Sequence, residues 1–270
     1  LVPRQSATVD PQTGTRFASH AAAVAVATDA DSCRAQLGRN MPDGAASLAG
    51  YQLSLMSWNI KKASLDYWDI DLARLAADRD LVLLQEAVLR QDLISQLEDQ
   101  HYWAFSPGYR NKSDQTGVLT LSRSAPLTHC NLTHLEPWLG TPKATIVTEY
   151  VLDGGRGTVL VVNVHAINFT FGTSDFADQL HDVNRLLADH AGPIILSGDF
   201  NTWRPRRMRI LEDMTAALGL EPLAFDVDHR KKVFGQQLDH IYVRGFSGQS
   251  ANTETVLTSD HNPLAAELVL

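Results

Sequence analysis

The stretch PIILSGDFNTW, residues 193–203, begins as a buried strand and closes within a few residues on a glycine, an acid and an amide. An uninterrupted apolar run of this length reads as a strand with both faces covered. In extended backbone the side chains of Asp199 and Asn201 point the same way, because a strand alternates with a period of two. The run therefore anchors a polar pair that is rigidly aimed.

The pattern recurs on either side. Residues 158–165 (TVLVVNVH) run apolar and close on His165, with Asn168 just beyond, and residues 81–84 (LVLL) stop at Gln85-Glu86. Residues 51–60 (YQLSLMSWNI) alternate like a strand and carry Asn59 near their end. Asp239 opens the strand at 238–243, and Asp260-His261 lies just before the one at 264–270. A further strand at 144–152 is joined to 158–165 through Asp153-Gly154-Gly155. Apolar spacing predicts helices over 66–78, 173–191 and about 205–218. Mixed elements with several wholly apolar strands predict a layered α/β sandwich, in which function gathers in loops at one end of the strands. Residues 51–270 read as one domain, and residues 1–50, rich in Ala, Ser, Thr, Asp and Gly, as an arm or wrapping extension.

The first residues, LVPRQS, read as a protease-site remnant of cloning. The apolar stretch at 21–27 (AAAVAVA) is short and has no basic stretch immediately before it, which makes it weak as a signal peptide. No apolar run approaches the ~18 residues that cross a bilayer, so the expectation is a soluble monomer without a membrane span. With 44% hydrophobic and 20% charged residues the composition is that of a globular protein. A formal charge of −8 argues against nonspecific coating of nucleic acid, yet allows a locally basic mouth. Two cysteines, Cys33 and Cys130, are too few and too far apart for a metal knuckle. They leave open a disulfide in an exported protein or two buried thiols in a cytoplasmic one; the cytoplasm is slightly favoured over a periplasmic or secreted location.

The polar strand ends form a chemically coherent set. Carboxylate and amide oxygens with few histidines and no cysteine suit a hard cation, Mg²⁺ or Mn²⁺. Such a cation works on phosphate, polarising its oxygens and offsetting developing charge. Taken singly, each residue could cap a turn or end a strand. Together they read, in order, Trp-Asn, Gln-Glu, His-x-x-Asn, Gly-Asp-Phe-Asn, Leu-Asp-His and Ser-Asp-His-Asn-Pro.

That order resembles the endonuclease/exonuclease/phosphatase superfamily of DNase I-like proteins from about residue 53 onward, and is nearest to its small bacterial YafD-like branch. The narrower likeness rests on residues 117–122 (GVLTLS) and 162–169 (VNVHAINF). The resemblance implies a four-layer αββα sandwich with the site at one edge, and hydrolysis of a phosphorus ester by in-line attack of water. By the same resemblance Glu86 is the principal metal ligand, with Asn59 and Asp260 completing its shell. The resemblance further implies that Asp199 positions or deprotonates the attacking water, that Asn201 holds the scissile phosphate, and that His261, oriented by Asp239, contacts phosphate or moves a proton. It implies too that His165, supported by Asn168, stands opposite as a donor to the phosphoryl or leaving oxygen. Two positions depart from the family: Pro142-Lys143 stand where a glutamate would partner His165, and Lys61 stands where the abasic-site enzymes carry an aspartate. Nothing reads as the long aromatic hairpin of some sphingomyelinases.

Cations sit beside the motifs: Lys61-Lys62, Lys143, the arginines 204, 206, 207 and 209, and Arg230-Lys231-Lys232. They suggest a positive rim, with Lys61, Lys143 and Arg204 contacting substrate and Trp203 or Tyr109 stacking on a base. A nucleic acid substrate is therefore favoured over the alternative, a small or lipid phosphate ester.

Overall fold

The computed structural model describes residues 25–38, 45–48, 50–89, 102–110 and 114–270. The cloning remnant at 1–6 and residues 21–24 of the apolar N-terminal stretch lie outside the described residues. Two β-sheets stack face to face. One runs β1 (Ala25–Ala27), β6 (Thr128–Leu135), β7 (Pro142–Val151), β8 (Thr158–His165), β9 (Ile194–Asp199), β13 (Asp239–Arg244) and β10 (Glu221–Pro222). The other runs β14 (Ser247–Thr253), β15 (Leu264–Val269), β2 (Gln52–Asn59), β3 (Leu81–Val88), β5 (Gln115–Ser122) and β4 (Tyr102–Arg110). A small hairpin, β11 (Lys232–Val233) with β12 (Gln236–Gln237), stands apart from both sheets.

The period of two in the strands assigns each layer. In β8, Val159 and Val161 face the other sheet, while Leu160, Val162 and Val164 face outward. In β3, Leu81 and Leu83 join the inter-sheet core, while Val82 and Leu84 join the outer one. Helix α3 (Ser174–Leu187) buries Phe176, Leu180, Val183 and Leu187 on the outer face of the seven-stranded sheet. Beside it lies α4 (Pro205–Ala217), which begins on a proline at its first turn, where the missing N–H costs nothing. Helix α2 (Trp68–Ala76) covers the six-stranded sheet through Trp68, Leu72 and Ala76. Each such buried leucine, valine or phenylalanine contributes about 1.5–3 kcal/mol. The layering is helix, sheet, sheet, helix, the αββα sandwich expected.

The N-terminal segment adds to this frame. Strand β1 pairs in parallel with β6 at the margin of the seven-stranded sheet, and α1 (Ala30–Gln36) carries Cys33 onto it. Cys33 and Cys130 are joined in a disulfide that spans 97 residues of sequence. Of the two states the sequence left open, the bonded one is found.

Register places the site. β8 and β9 are parallel and β13 is antiparallel to β9, so that His165, Asp199 and Asp239 fall in one row. In the second sheet Asn59 pairs with Gln85, one residue before Glu86. Gly198 makes the row possible: its φ is +145°, and a Cβ there would sit 2.0 Å from the Val164 carbonyl oxygen. Only glycine permits that approach between β8 and β9.

Candidate active site

The strand ends converge on an open cleft of about 430 Å³ lined by Asn59, Lys61, Glu86, Lys143, His165, Asn168, Asp199, Asn201, Asp260 and His261, among others. Asp239 lies directly behind His261. Trp203 and Arg204 lie beside the cleft rather than in its wall.

Asp199 is its hub. The carboxylate is 2% exposed and accepts hydrogen bonds from Asn59 Nδ2 (2.9 Å) and from the backbone N–H of Asn201 (2.9 Å). His165 Nε2 lies 3.8 Å from it and His261 Nε2 4.0 Å. Burial raises the Asp199 pKa above the ordinary carboxylate value, and the charge on His261 holds it back. His261 Nδ1 donates to Asp239 Oδ2 at 2.8 Å. Burial works against charge on that ring, but the Asp239 carboxylate, helped by Asp199 and Asp260, lifts its pKa to about 9. His261 is therefore a cation at neutral pH.

His165 is the opposite case. Burial, with Lys143, His261 and Lys62 nearby, pushes its pKa well below the ordinary value. Lys143 Nζ donates to His165 Nε2 at 2.9 Å, which makes that nitrogen an acceptor. Where the resemblance would put a glutamate, a lysine thus bonds the ring directly, and Glu136 Oε1 lies 3.9 Å from the lysine in turn.

Glu86 reaches the cleft by a backbone irregularity. A β-bulge interrupts the β3–β5 pairing between Leu84 and Ala87, and Glu86 itself adopts φ +51°. The bulge turns the carboxylate toward His165, 3.8 Å away. It also leaves the Leu84 and Leu119 carbonyls to Asn163, whose Nδ2 donates to them from the facing sheet at 3.3 and 3.0 Å. Asn163 Oδ1 accepts from Gln85 Nε2 at 2.8 Å, so a buried amide pair clamps the bulge. Asn201, at φ +50°, is similarly held, with Nδ2 donating to the Ala166 carbonyl at 2.9 Å. Such conformations cost about 1–3 kcal/mol each and gather where geometry serves function.

Several supporting residues carried no signal at the strand ends. Arg207, read from sequence as part of the basic rim, is 1% exposed. It donates to the carbonyls of Ile167 (2.6 Å), Asn168 (2.8 Å) and Asn201 (3.2 Å), tying the loop after β8 to the loop after β9. Its spacing to Leu211 and Met214 puts it on the buried stripe of α4, and that spacing was the available clue. Glu136 is buried and accepts from the N–H groups of Asn168 (2.7 Å) and Phe169 (3.2 Å). Gln179 on α3 accepts from Ile167 N and donates to the His165 carbonyl. Trp203 Nε1 donates to Asn168 Oδ1 at 2.9 Å, and the Arg204 guanidinium stacks on the Trp203 ring, 4.2 Å from its centroid.

The oxygens of Glu86, Asn59, Asp199 and Asp260 share the cleft, and this all-oxygen donor set fits a hard divalent cation. Asp199, Asp239 and His261 also bring their ligand atoms within 4.8 Å of one another. That trio differs from the Asn59, Glu86 and Asp260 set expected from sequence, and shares its acid–imidazole bond with the water-activating side of the cleft. No helix among the described residues is long and apolar enough to cross a membrane.

Comparison with known proteins gives a consistent answer. The profile of the endonuclease/exonuclease/phosphatase family matches residues 56–261. A UPF0294 protein of Yersinia enterocolitica is 36% identical over 234 residues, covering 86% of this chain and 89% of its own length. A UPF0294 protein of Vibrio cholerae is 37% identical over 222 residues, covering 79% and 76%. Among solved structures, an endonuclease/exonuclease/phosphatase from Beutenbergia cavernae superposes with TM-score 0.64 at 18% identity, over 82% of this chain and 72% of that one. A humanised TDP2 of D. rerio does so with TM-score 0.61 at 16% identity, over 81% and 99%. The chain belongs to the endonuclease/exonuclease/phosphatase family, whose members are hydrolases that generally use a divalent metal.

Proposed function

We propose that this member of the family hydrolyses phosphodiester bonds by in-line attack of water, acting on nucleic acid. The observation that carries the reading is the buried Asp199 carboxylate, set between two imidazoles of opposite character. Its raised pKa makes it a stronger base than a surface aspartate, suited to taking a proton from water. Cationic His261, fixed by Asp239, offers Nε2–H to a phosphate oxygen. Asn201 keeps one amide hydrogen free beyond the Ala166 bond for the same phosphate.

Glu86, Asn59 and Asp260 would hold Mg²⁺ or Mn²⁺, which when bound neutralises charge on the phosphoryl oxygens and the leaving group. Across the cleft, Lys143 rather than His165 is the donor toward the leaving oxygen, because His165 accepts from it. Asn168 sets that side of the cleft through its bond from Trp203. Lys61, Lys62, Lys143 and Lys231 line the cleft, and Arg204 and Arg206 are exposed on the segment after Asn201, a number of cations that supports a polyanion over a small or lipid phosphate ester of one or two charges. The disulfide supports an oxidising working environment rather than the cytoplasm.

The test is incubation with supercoiled plasmid in Mg²⁺, in Mn²⁺ and with chelator. Metal-dependent nicking that weakens with added salt is expected. Absence of cleavage of the plasmid and of a single-stranded oligonucleotide alike, by a protein that still hydrolyses small phosphodiesters, would refute the nucleic acid reading and leave the hydrolase.

A further inference from the structure

Large apolar rings stand out of the surface along one rim of the cleft. Phe234 is 85% exposed, Phe171 73%, Trp138 59% and Phe169 56%. Soluble proteins seldom leave so many rings together in water without a use for them. Two ring pairs, tied by a hydrogen bond and by the chain between them, form a strip. Phe234, at the tip of the β11–β12 hairpin, has its ring centroid 6.2 Å from that of Trp203. Trp203 is bonded to Asn168 in the cleft wall, next to Phe169. The same loop carries Phe171, whose ring centroid lies 3.6 Å from that of Trp138 on the β6–β7 connection.

The charges along the strip are divided. Residues 137–142 (PWLGTP) and 166–174 (AINFTFGTS) carry no ionisable side chain. Cations adjoin the cleft instead, with Arg204 stacked on Trp203 and Lys231 and Lys232 leading into the Phe234 hairpin. Phosphates held at the cleft would leave their bases over the rings.

We propose that this rim is a stacking track for unpaired bases, and that the substrate is single-stranded nucleic acid or a frayed strand end rather than continuous duplex. The proposal rests on the nucleic acid reading above. The physical argument is one of surfaces. A duplex keeps its base faces inside the stack and presents phosphates outward, for which uncharged rings have no use. An unpaired strand exposes a π-face at every base, and rings stack on any of them regardless of sequence. Such a strip, beside a cleft proposed to hold phosphate and edged by cations, matches that ligand.

The experiment measures fluorescence anisotropy of a labelled strand of about 12 nucleotides, alone and as a duplex, with chelator to prevent cleavage. Wild type is compared with the Trp138→Ser/Phe171→Ser double variant. Turnover of bis(p-nitrophenyl) phosphate in Mn²⁺ and co-sedimentation with phosphatidylglycerol vesicles run alongside. The single strand is expected to bind at least about tenfold tighter than the duplex. The double variant is expected to lose about tenfold or more in strand affinity while turning over the small diester normally. Equal affinity for strand and duplex, or strand binding untouched in the variant, would overturn the track. So would vesicle binding that depends on Trp138 and Phe171 without strand binding, which would assign the rim to a lipid surface. Failure of wild type on the small diester would strike the hydrolase reading instead, a result separable from the binding comparison.

Discussion

The margin where β1 and α1 attach and the strand ends that line the cleft are held in opposite ways. At the margin, Ala27, Cys33 and Cys130 are essentially inaccessible and a covalent bond does the holding. At the cleft, Asp199, Asp239, His165 and His261 are also buried, but what they bring inside is charge and polarity. Ordering apolar groups and closing a loop of 97 residues stabilises the chain without creating chemistry. Burying carboxylates and setting Glu86 and Asn201 at positive φ costs stability, which on the proposed reading serves reactivity. One region should therefore answer to a thermometer and the other to a substrate.

The largest effect that could break this contrast lies at the cleft. His261→Ala is expected to lower turnover of a phosphodiester by about 10²–10⁴-fold while the melting temperature holds within a few degrees. A variant that melted far lower with proportionate activity would make His261 structural. At the margin, Cys33→Ser/Cys130→Ser, or simple reduction, should remove about 4–5 kcal/mol in the chain-entropy picture, some 10 °C or more of Tm. Specific activity well below the new melting point should stay at the wild-type level. A loss of activity without a loss of Tm would erase the distinction.

Asn163 joins the two regimes and sharpens the comparison. It lies in the inter-sheet core, fully buried, yet it carries the carbonyls freed by the Glu86 bulge. Asn163→Leu should destabilise by about 2–4 kcal/mol through unpaired carbonyls. It should also lower activity by about 10–100-fold and raise the metal concentration needed for half-maximal activity, as loss of a ligand's support does. Unchanged metal dependence would confine Asn163 to packing.

The smallest effect is a slope with pH. Burial lowers His129 to about pKa 4 and His240 to about 3, so both are neutral in the folded state. A folded pKa below the unfolded value near 6.5 gives stability that is complete above pH 6.5 and lost as pH falls toward 4 and 3. Asp199, raised by burial, runs the other way and offsets part of it. Denaturant midpoints should therefore fall steadily below pH 6. A flat profile from pH 7 to 4 would show that burial does not disfavour the charged form of these rings.

The legible part of the molecule was written in local patterns. β8 and β9 announce themselves as apolar runs, α4 by its period, and the candidate site residues by their place just past each run. The Asp239–His261 bond followed from the resemblance alone and is found at 2.8 Å. What escaped depends on distant partners. β14 (SGQSANT) is an exposed edge strand without apolar alternation in its sequence, and β6 (THCNLTHL) buries threonine, histidine and asparagine, residue types that do not mark a buried strand. The disulfide joins residues that only the β1–β6 pairing brings together. Arg207 reads from sequence as part of the basic rim and Glu136 carries no signal, because the carbonyls and amides they serve belong to other loops.

The most direct test is Asp199→Ala, assayed for hydrolysis of bis(p-nitrophenyl) phosphate in Mn²⁺ beside a thermal melt of the same sample. Turnover lost by about 10³-fold or more, with a melting temperature unchanged or raised because a buried carboxylate has been removed, is the expected result. A variant that retains wild-type turnover would contradict the assignment of Asp199 as the group that activates water, and with it the reading of the cleft.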